Sequence, residues 1–549
     1  MLNKDSVFVI GLDGGTFNLL HPLMDADIMP NLQHLVKTGS SGLLRSAIPP
    51  VTGPAWASFQ TGTNPGKHGV VDFLRYQPGS YEPALINSKA IQGQTLWKIL
   101  SEHERRICVI NVPLTYPPQS VRGYLISGFL TPSIDVSFTH PPELRRRLLN
   151  YIPDYPIVPM VPMEIATSGL DQFVKRLLHT IWQRRKATAW LIEQGSWDFF
   201  MVHFQATDVL QHALWDCADF AHPNRAKYLP SEQALVRQFY HELDQIIGDL
   251  VQLAGDASII VMSDHGFGPA RKRVYLNQWL VNHGYMALTA SKSWMRIQAG
   301  FEGLVKKLDV FDLRRRWLPK DFKRERGRLI RRLTQTPWID WARTRASVFS
   351  GSTFGNLYVN RVGRDSLGMV TESEYERLRA ELIECFQALI DPDTDQPVVD
   401  QVYRREEVYT GPMVAELPDL IIRPCGGYLL ETRFKGDRLF DPMPQGLTGM
   451  HRMDGIYILS GGHFTAQSQQ RTADIVDLAA TILYSLGIPV PEWMDGRVLA
   501  ETVCPTGQLL NERVILDKQP AADHDAHTQS YSAEDEAQVM ERLHGLGYL

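Results

Sequence analysis

Runs of consecutive apolar residues that stop at a polar or glycine-rich turn recur along the chain. Val7–Leu12 (VFVIGL) ends in Asp13-Gly14-Gly15, and residues 106–112 read RICVINV. Residues 197–204 (WDFFMVHF) lead into TDVLQH, and Ser258–Met262 (SIIVM) leads into Asp264-His265-Gly266. Such continuous runs predict strands covered on both faces, as helices cover a parallel sheet. ELPDLIIRP and GIYILSG predict two more strands. Between the strands the apolar spacing becomes helical. Residues 239–253 form an amphipathic pattern, and Thr371-x-x-Glu374 makes a capping box before a helix running to about Ile390. Thr472 is expected to cap ADIVDLAATILYSL, in which Ile475, Leu478, Ala479, Ile482 and Leu483 share a face and Gly487 and Pro489 close the helix. This alternation predicts an α/β fold: a doubly wound, mostly parallel central sheet flanked by helices.

With 549 residues, 44% hydrophobic and 21% charged, and a net charge of −5, the chain buries a large core and falls in the ordinary soluble class. No apolar run approaches the roughly 18 residues of a membrane span. The start, MLNKDSVFVIGLDGG, enters a strand without the charged and apolar regions of a signal peptide, so a cytoplasmic location is expected. Cys108, Cys217, Cys385, Cys425 and Cys504 are scattered and odd in number, which argues against a disulfide framework or a thiolate zinc site.

Charge breaks the uniformity at 291–345. This stretch holds sixteen Lys/Arg and six Asp/Glu, a net of +10, against −15 for the remainder. LVKKLDVFDLRRRWL mixes basic and apolar positions at helical spacing, predicting a basic helical insertion. A solvated helix packed over the core explains it, and an anionic surface or polyanion is the alternative partner. No specific nucleic-acid motif is present. The expected organisation is one catalytic domain over 1–515 containing this insertion, then a polar linker and a short helix capped by Ser532 over 516–549.

The chemistry gathers around residues 48–68, IPPVTGPAWASFQTGTNPGKH. Pro49, Pro50, Gly53 and Pro54 place Thr52 on a stiff turn, and AWASFQTG reads as the helix that follows. A hydroxyl at a helix N-terminus sits where an anion is favoured, but threonine needs a base or a metal to become a nucleophile. Ligands exist: Asp13 and the pair Asp264-His265 fall at strand ends, and Asp208 and His212, four apart, share a helix face. Oxygen and nitrogen donors without thiolate suit zinc, or manganese. Ser46, Ser58 and Thr61 are rival hydroxyls without the proline-flanked turn, and His203, within an apolar run, reads as a core histidine.

The order Asp13, Thr52, Asp208-x-x-x-His212, Asp264-His265 and, in TGMHRMDG, His451 resembles the alkaline phosphatase superfamily, in its type I phosphodiesterase/nucleotide pyrophosphatase-like branch. The resemblance extends to DIVDLAATILYSLGIPVPEWMDGRVL. It implies an alkaline phosphatase-like catalytic domain with two divalent metal ions, zinc or manganese. Asp13, Thr52, Asp264 and His265 would hold one ion, and Asp208, His212 and His451 the other. It also implies hydrolysis of a small phosphomonoester or phosphodiester through a phosphothreonine intermediate at Thr52. A phosphomutase or phosphonate hydrolase on the same site is an alternative, and a metal-containing binding or regulatory protein is another.

Overall fold

The apolar runs become the middle of a nine-stranded sheet in the computed structural model, which describes residues 2–159, 162, 165–289, 339–351, 353–466, 471–503 and 531–547. The spatial order is Arg471–Asp474, Ser40–Arg45, Asp454–Ser460, Ser258–Met262, Val7–Leu12, Phe199–Phe204, Ile107–Ile110, Gly123–Ile126 and Thr139–His140. Only Asp454–Ser460 and Thr139–His140 run against the others. Val7–Leu12 lies at the centre, in parallel register with Phe199–Phe204 on one side and Ser258–Met262 on the other. All three strands are buried along their whole length, which explains why their sequences do not alternate.

Helices cover both faces. Leu170–Ile192 and Pro230–Ala254 pack on each other over one face, in the core built around Phe8, Ile10, Phe200 and Val202. On the other face Thr52–Thr61 packs against Ile475–Ser485, around Val7, Val9, Trp56 and Met201. The second of these helices is capped differently from the expectation. Asp474 is its N-cap, in a capping box with Asp477, while Thr472 lies in the edge strand opposite Leu43.

A second hydrophobic core forms between Val274 and Leu430. It joins the antiparallel strands Ala346–Gly351, Gly355–Val359, Leu420–Pro424 and Val399–Arg404 to the helix Glu372–Gln387. Thr371 and Glu374 make the capping box expected there. The Tyr409 hydroxyl donates to the Ile48 carbonyl at 3.0 Å and so ties this part to the proline-rich turn.

Residues 291–338 of the basic stretch lie outside the described residues, as do Cys504 and the polar linker to residue 530. The remaining cysteines are free thiols. The terminal helix Ala533–Leu546, with Ser532 as its N-cap, buries Val539, Leu543 and Leu546 in the main core. Among the described residues no helix is long and apolar enough to cross a membrane.

Candidate metal centre

The carboxyl ends of the central strands converge where an open α/β sheet places its ligands. Asp13 follows the middle strand, and the turn after it needs Gly14. Gly14 has φ +68°, and a Cβ there would lie 2.7 Å from the Phe267 ring. The Gly14 amide donates to Asp264 Oδ1 at 3.2 Å, which links the ends of two adjacent strands. Asp208 and His212 project from the helix Ala206–Ala218. His451 lies on a short strand, Gly449–Arg452, directly opposite Phe267 in an antiparallel ribbon.

Thr52 opens the helix Thr52–Thr61. Val51 before it is extended, and Pro54 falls in the first turn, where a missing N–H costs nothing. Gly62, in the left-handed conformation, ends the helix. Thr52 Oγ1 lies 3.3 Å from His265 Nε2.

The residues singled out in the sequence therefore meet in one place, and all are buried: Asp13, Thr52, Asp208, His212, Asp264, His265 and His451. Two groupings have ligand atoms within 4.8 Å of one another: Asp208, His265 and His451, and Asp13, Asp264 and His265. His265 belongs to both, with Nε2 3.5 Å from Asp13 Oδ1 and 3.3 Å from Asp264 Oδ2. Asp208 Oδ1 is 3.1 Å from His451 Nε2 and 3.4 Å from His212 Nε2.

Each histidine is oriented from behind. His212 Nδ1 donates to the Gly449 carbonyl at 3.0 Å, His265 Nδ1 to Gly266 at 3.1 Å, and His451 Nδ1 to Pro50 at 3.0 Å. This fixes the tautomer and turns every Nε2 lone pair inward. Burial pulls the His212 pKa down to about 4 and that of His451 to about 3, and holds His265 well below its usual range. The imidazoles are therefore neutral acceptors. Burial, then the charges of Asp264 and Asp208, raises Asp13 well above the carboxylate range. Burial pushes Asp264 up to about 7 and raises Asp208.

Acceptors thus face acceptors. Asp13 Oδ1, Asp208 Oδ2 and Asp264 Oδ2 are buried and accept no hydrogen bond. Two like charges 4 Å apart repel by about 4 kcal/mol at an effective dielectric near 20, so ionising all three carboxylates is costly and a cation among them would relieve that cost. The donor set fits divalent metal ions: inward-facing carboxylates and neutral imidazoles, with no thiolate.

Two of the rival hydroxyls, Ser58 and Thr61, are otherwise employed. Val70 N–H donates to His68 Nδ1 at 3.2 Å, so His68 Nε2 carries the hydrogen and donates to Ser58 Oγ at 2.9 Å. That tautomer cannot take a proton from Ser58. Thr61 Oγ1 donates to the Ala57 carbonyl within its own helix, and Ser46 Oγ is buried without a base or other hydrogen-bond partner among the described residues. His203 was read as a core histidine; it is buried, but its Nε2 lies 2.9 Å from Asp13 Oδ2. No signal in the sequence reports that contact, because it depends on two strands 190 residues apart lying in register.

The fold has known counterparts. Phosphonoacetate hydrolase from Sinorhizobium meliloti 1021, solved with phosphonoformate, superposes with a TM-score of 0.54 at 17% identity, over 88% of this chain and 95% of that one. Human ectonucleotide pyrophosphatase / phosphodiesterase 5 superposes with a TM-score of 0.50 at 14% identity, over 92% of this chain and 100% of that one. These similarities concern the fold, which is alkaline phosphatase-like. A comparison with curated proteins found no match. The sequence profile of type I phosphodiesterase / nucleotide pyrophosphatase matches residues 7–455, a span that runs from the central strand through Asp13 and Thr52 to His451. The chain belongs to the type I phosphodiesterase / nucleotide pyrophosphatase family of hydrolases, within the alkaline phosphatase superfamily.

Proposed function

We propose that this protein hydrolyses phosphoric esters through a phosphothreonine intermediate at Thr52, in a centre that holds two divalent metal ions. The observation that carries the reading is the convergence of six acceptor side chains, three of them buried carboxylates, in one cluster whose His265 Nε2 lies 3.3 Å from the hydroxyl at the start of the helix Thr52–Thr61. Asp13, Thr52, Asp264 and His265 are assigned to one ion, and Asp208, His212 and His451 to the other. Zinc is the first choice and manganese the second. When bound, the ions supply Lewis acidity, lowering the pKa of a hydroxyl or water and neutralising phosphoryl oxygens.

Thr52 Oγ1 loses its proton to solvent and attacks phosphorus in line with the ester oxygen, which leaves and is protonated by water. The first turn of its helix offers the transferring phosphoryl group a positive dipole end. A water molecule then attacks the phosphorus on Thr52, regenerating the Thr52 hydroxyl and releasing phosphate from a monoester or a phosphomonoester from a diester. Phosphomonoesters and phosphodiesters both fit this scheme. The basic stretch 291–345 is read as a recognition element for an anionic surface or a large anionic substrate.

The test is turnover of p-nitrophenyl phosphate, bis-p-nitrophenyl phosphate and phosphonoacetate by zinc-loaded protein, with acid quench and mass spectrometry of the peptide containing Thr52. A transient gain of one phosphoryl group on Thr52 during ester turnover is the expected result. Hydrolysis of phosphonoacetate alone, with the esters untouched, would replace this reading by a phosphonate hydrolase.

A further inference from the structure

Asp13 presents only one of its carboxylate oxygens to the cluster. Oδ1 faces His265 Nε2 at 3.5 Å and accepts no hydrogen bond, whereas Oδ2 is held from behind by His203 Nε2 at 2.9 Å. The other ring nitrogen, His203 Nδ1, lies 3.1 Å from the Asn111 carbonyl oxygen. The Asn111 carbonyl can only accept, so Nδ1 carries a hydrogen, and the Nε2–Oδ2 contact is closed by one proton held between the ring and the Asp13 carboxyl; both nitrogens of the His203 ring are engaged away from the metal position. It is a partner of a ligand and not itself a ligand.

The surroundings are built to hold that ring in place. His203 lies opposite Gly11 in the parallel pairing of the two central strands, and its ring meets Trp56 edge to face at 4.8 Å. A Cβ at position 11 would lie 3.0 Å from the Trp56 ring and 3.2 Å from His203 Cδ2, so glycine opens the slot the imidazole occupies. Asn111 ends the neighbouring strand with φ +58°, a conformation asparagine tolerates better than most residues. Its side chain is fixed as well. Nδ2 donates to the Ser127 carbonyl at 2.8 Å, and Oδ1 accepts from the Tyr155 hydroxyl. Tyr155 in turn lies beneath the buried Arg184 guanidinium, 5.4 Å from its ring centre, on the helix Leu170–Ile192. A continuous chain of buried polar groups thus runs from that helix to Asp13.

We infer that His203, aimed by Asn111, is a positioning residue that locks the Asp13 carboxylate so that Oδ1 alone is offered to a metal ion. The inference rests on the reading of Asp13 as a metal ligand. Groups of this kind orient the ligand and raise its affinity for metal, and their loss typically costs about 10–100-fold in metal affinity.

The experiment uses the full chain with His203→Leu, which fills the slot without a donor, and His203→Gln, whose amide can still donate to Asp13. Zinc content is measured by elemental analysis after dialysis, zinc affinity by competition with a chromophoric chelator, and thermal stability on the metal-free proteins. Wild-type protein is expected to hold two zinc ions. His203→Leu should keep the one at Asp208, His212 and His451 and bind the other about 10–100-fold more weakly, while His203→Gln recovers most of that loss. If His203→Leu fails to fold, His203→Met, apolar and able to fill an irregular slot, takes its place. An apolar variant with wild-type affinity at both positions would overturn the inference and leave the metal reading standing. Equal weakening in the Leu and Gln variants would also overturn it, because packing and not donation would then be the cause. Wild-type protein that holds no zinc would overturn both.

Discussion

The Nε2 atoms of His212 and His451 lie 3.0 Å apart, while the Nδ1 atom of each ring donates to a backbone carbonyl, that of Gly449 and that of Pro50. Two neutral imidazoles so arranged turn lone pairs toward one another, and a cation between them and Asp208 resolves the repulsion. His451→Ala and Asp208→Ala should each release one metal ion and leave the other bound, since each removes one of the protein ligands assigned to that ion. Elemental analysis of the purified variants checks this; two ions still tightly held would refute the assignment.

Thr52→Ala should lower ester turnover by at least about 10³-fold, because without the nucleophile only binding and electrostatic stabilisation remain. Metal content should stay near that of wild type, since Asp13, Asp264 and His265 remain. No phosphoryl adduct should appear on the peptide by mass spectrometry. Wild-type rates in this variant would remove Thr52 from the mechanism.

Zinc binding should weaken steeply as pH falls below 7. Asp264, pushed up to about 7 by burial, must lose its proton to bind metal, whereas His212 at about 4 and His451 at about 3 compete only in acid. In metal-free protein the folded pKa of Asp264 lies above its unfolded value near 4, so its contribution to stability is lost as pH rises through 7. Zinc relieves that loss, and the rise in Tm on adding zinc should be larger at pH 8 than at pH 6. Equal rises at both pH values would contradict the perturbed carboxylate.

Asp419→Ala should destabilise the second core by about 3–5 kcal/mol, because it removes the buried carboxylate shared by the buried Arg405 and the partly buried Arg364. The carboxylate accepts from Arg364 at 3.0 and 3.1 Å, Arg405 at 3.1 Å, the Tyr375 hydroxyl at 2.6 Å and the Val359 amide at 2.7 Å. Urea unfolding measures the change. A loss below about 1 kcal/mol, the level of an exposed pair, would show that these groups repair themselves with water.

Deletion in the basic stretch should stop at residue 338, since Ile339 and Thr344 are buried and the Thr344 hydroxyl donates to the Asp340 carbonyl. Without residues 291–338, hydrolysis of a small aryl phosphate should be nearly unchanged, and salt-sensitive binding to anionic vesicles or a large anionic substrate should fall. Equal binding by both proteins would end the recognition reading, and a changed rate on the small substrate would place the segment close to the metal centre.

The sequence by itself determined the central strands, because a strand covered on both faces must be apolar throughout and Val7–Leu12, Phe199–Phe204 and Ser258–Met262 are. It also placed Asp13 and Asp264-His265 at strand ends and put Asp208 and His212 on one helix face, since these follow from local periodicity. Thr52 was legible from the prolines and glycine around it. Only the tertiary structure decided what depends on register between distant segments. His451 sits on a strand because Gly449–Arg452 pairs with Gly266–Pro269, and Thr472 forgoes a cap because it pairs with Leu43. The second core, the tautomer that disqualifies Ser58 and the hold of His203 on Asp13 belong to the same class. Periodicity reports which face of an element is buried, but not which side chain across the core will meet it. His203 looked like any buried histidine until the strand pairing set it opposite Gly11 and within reach of Asp13.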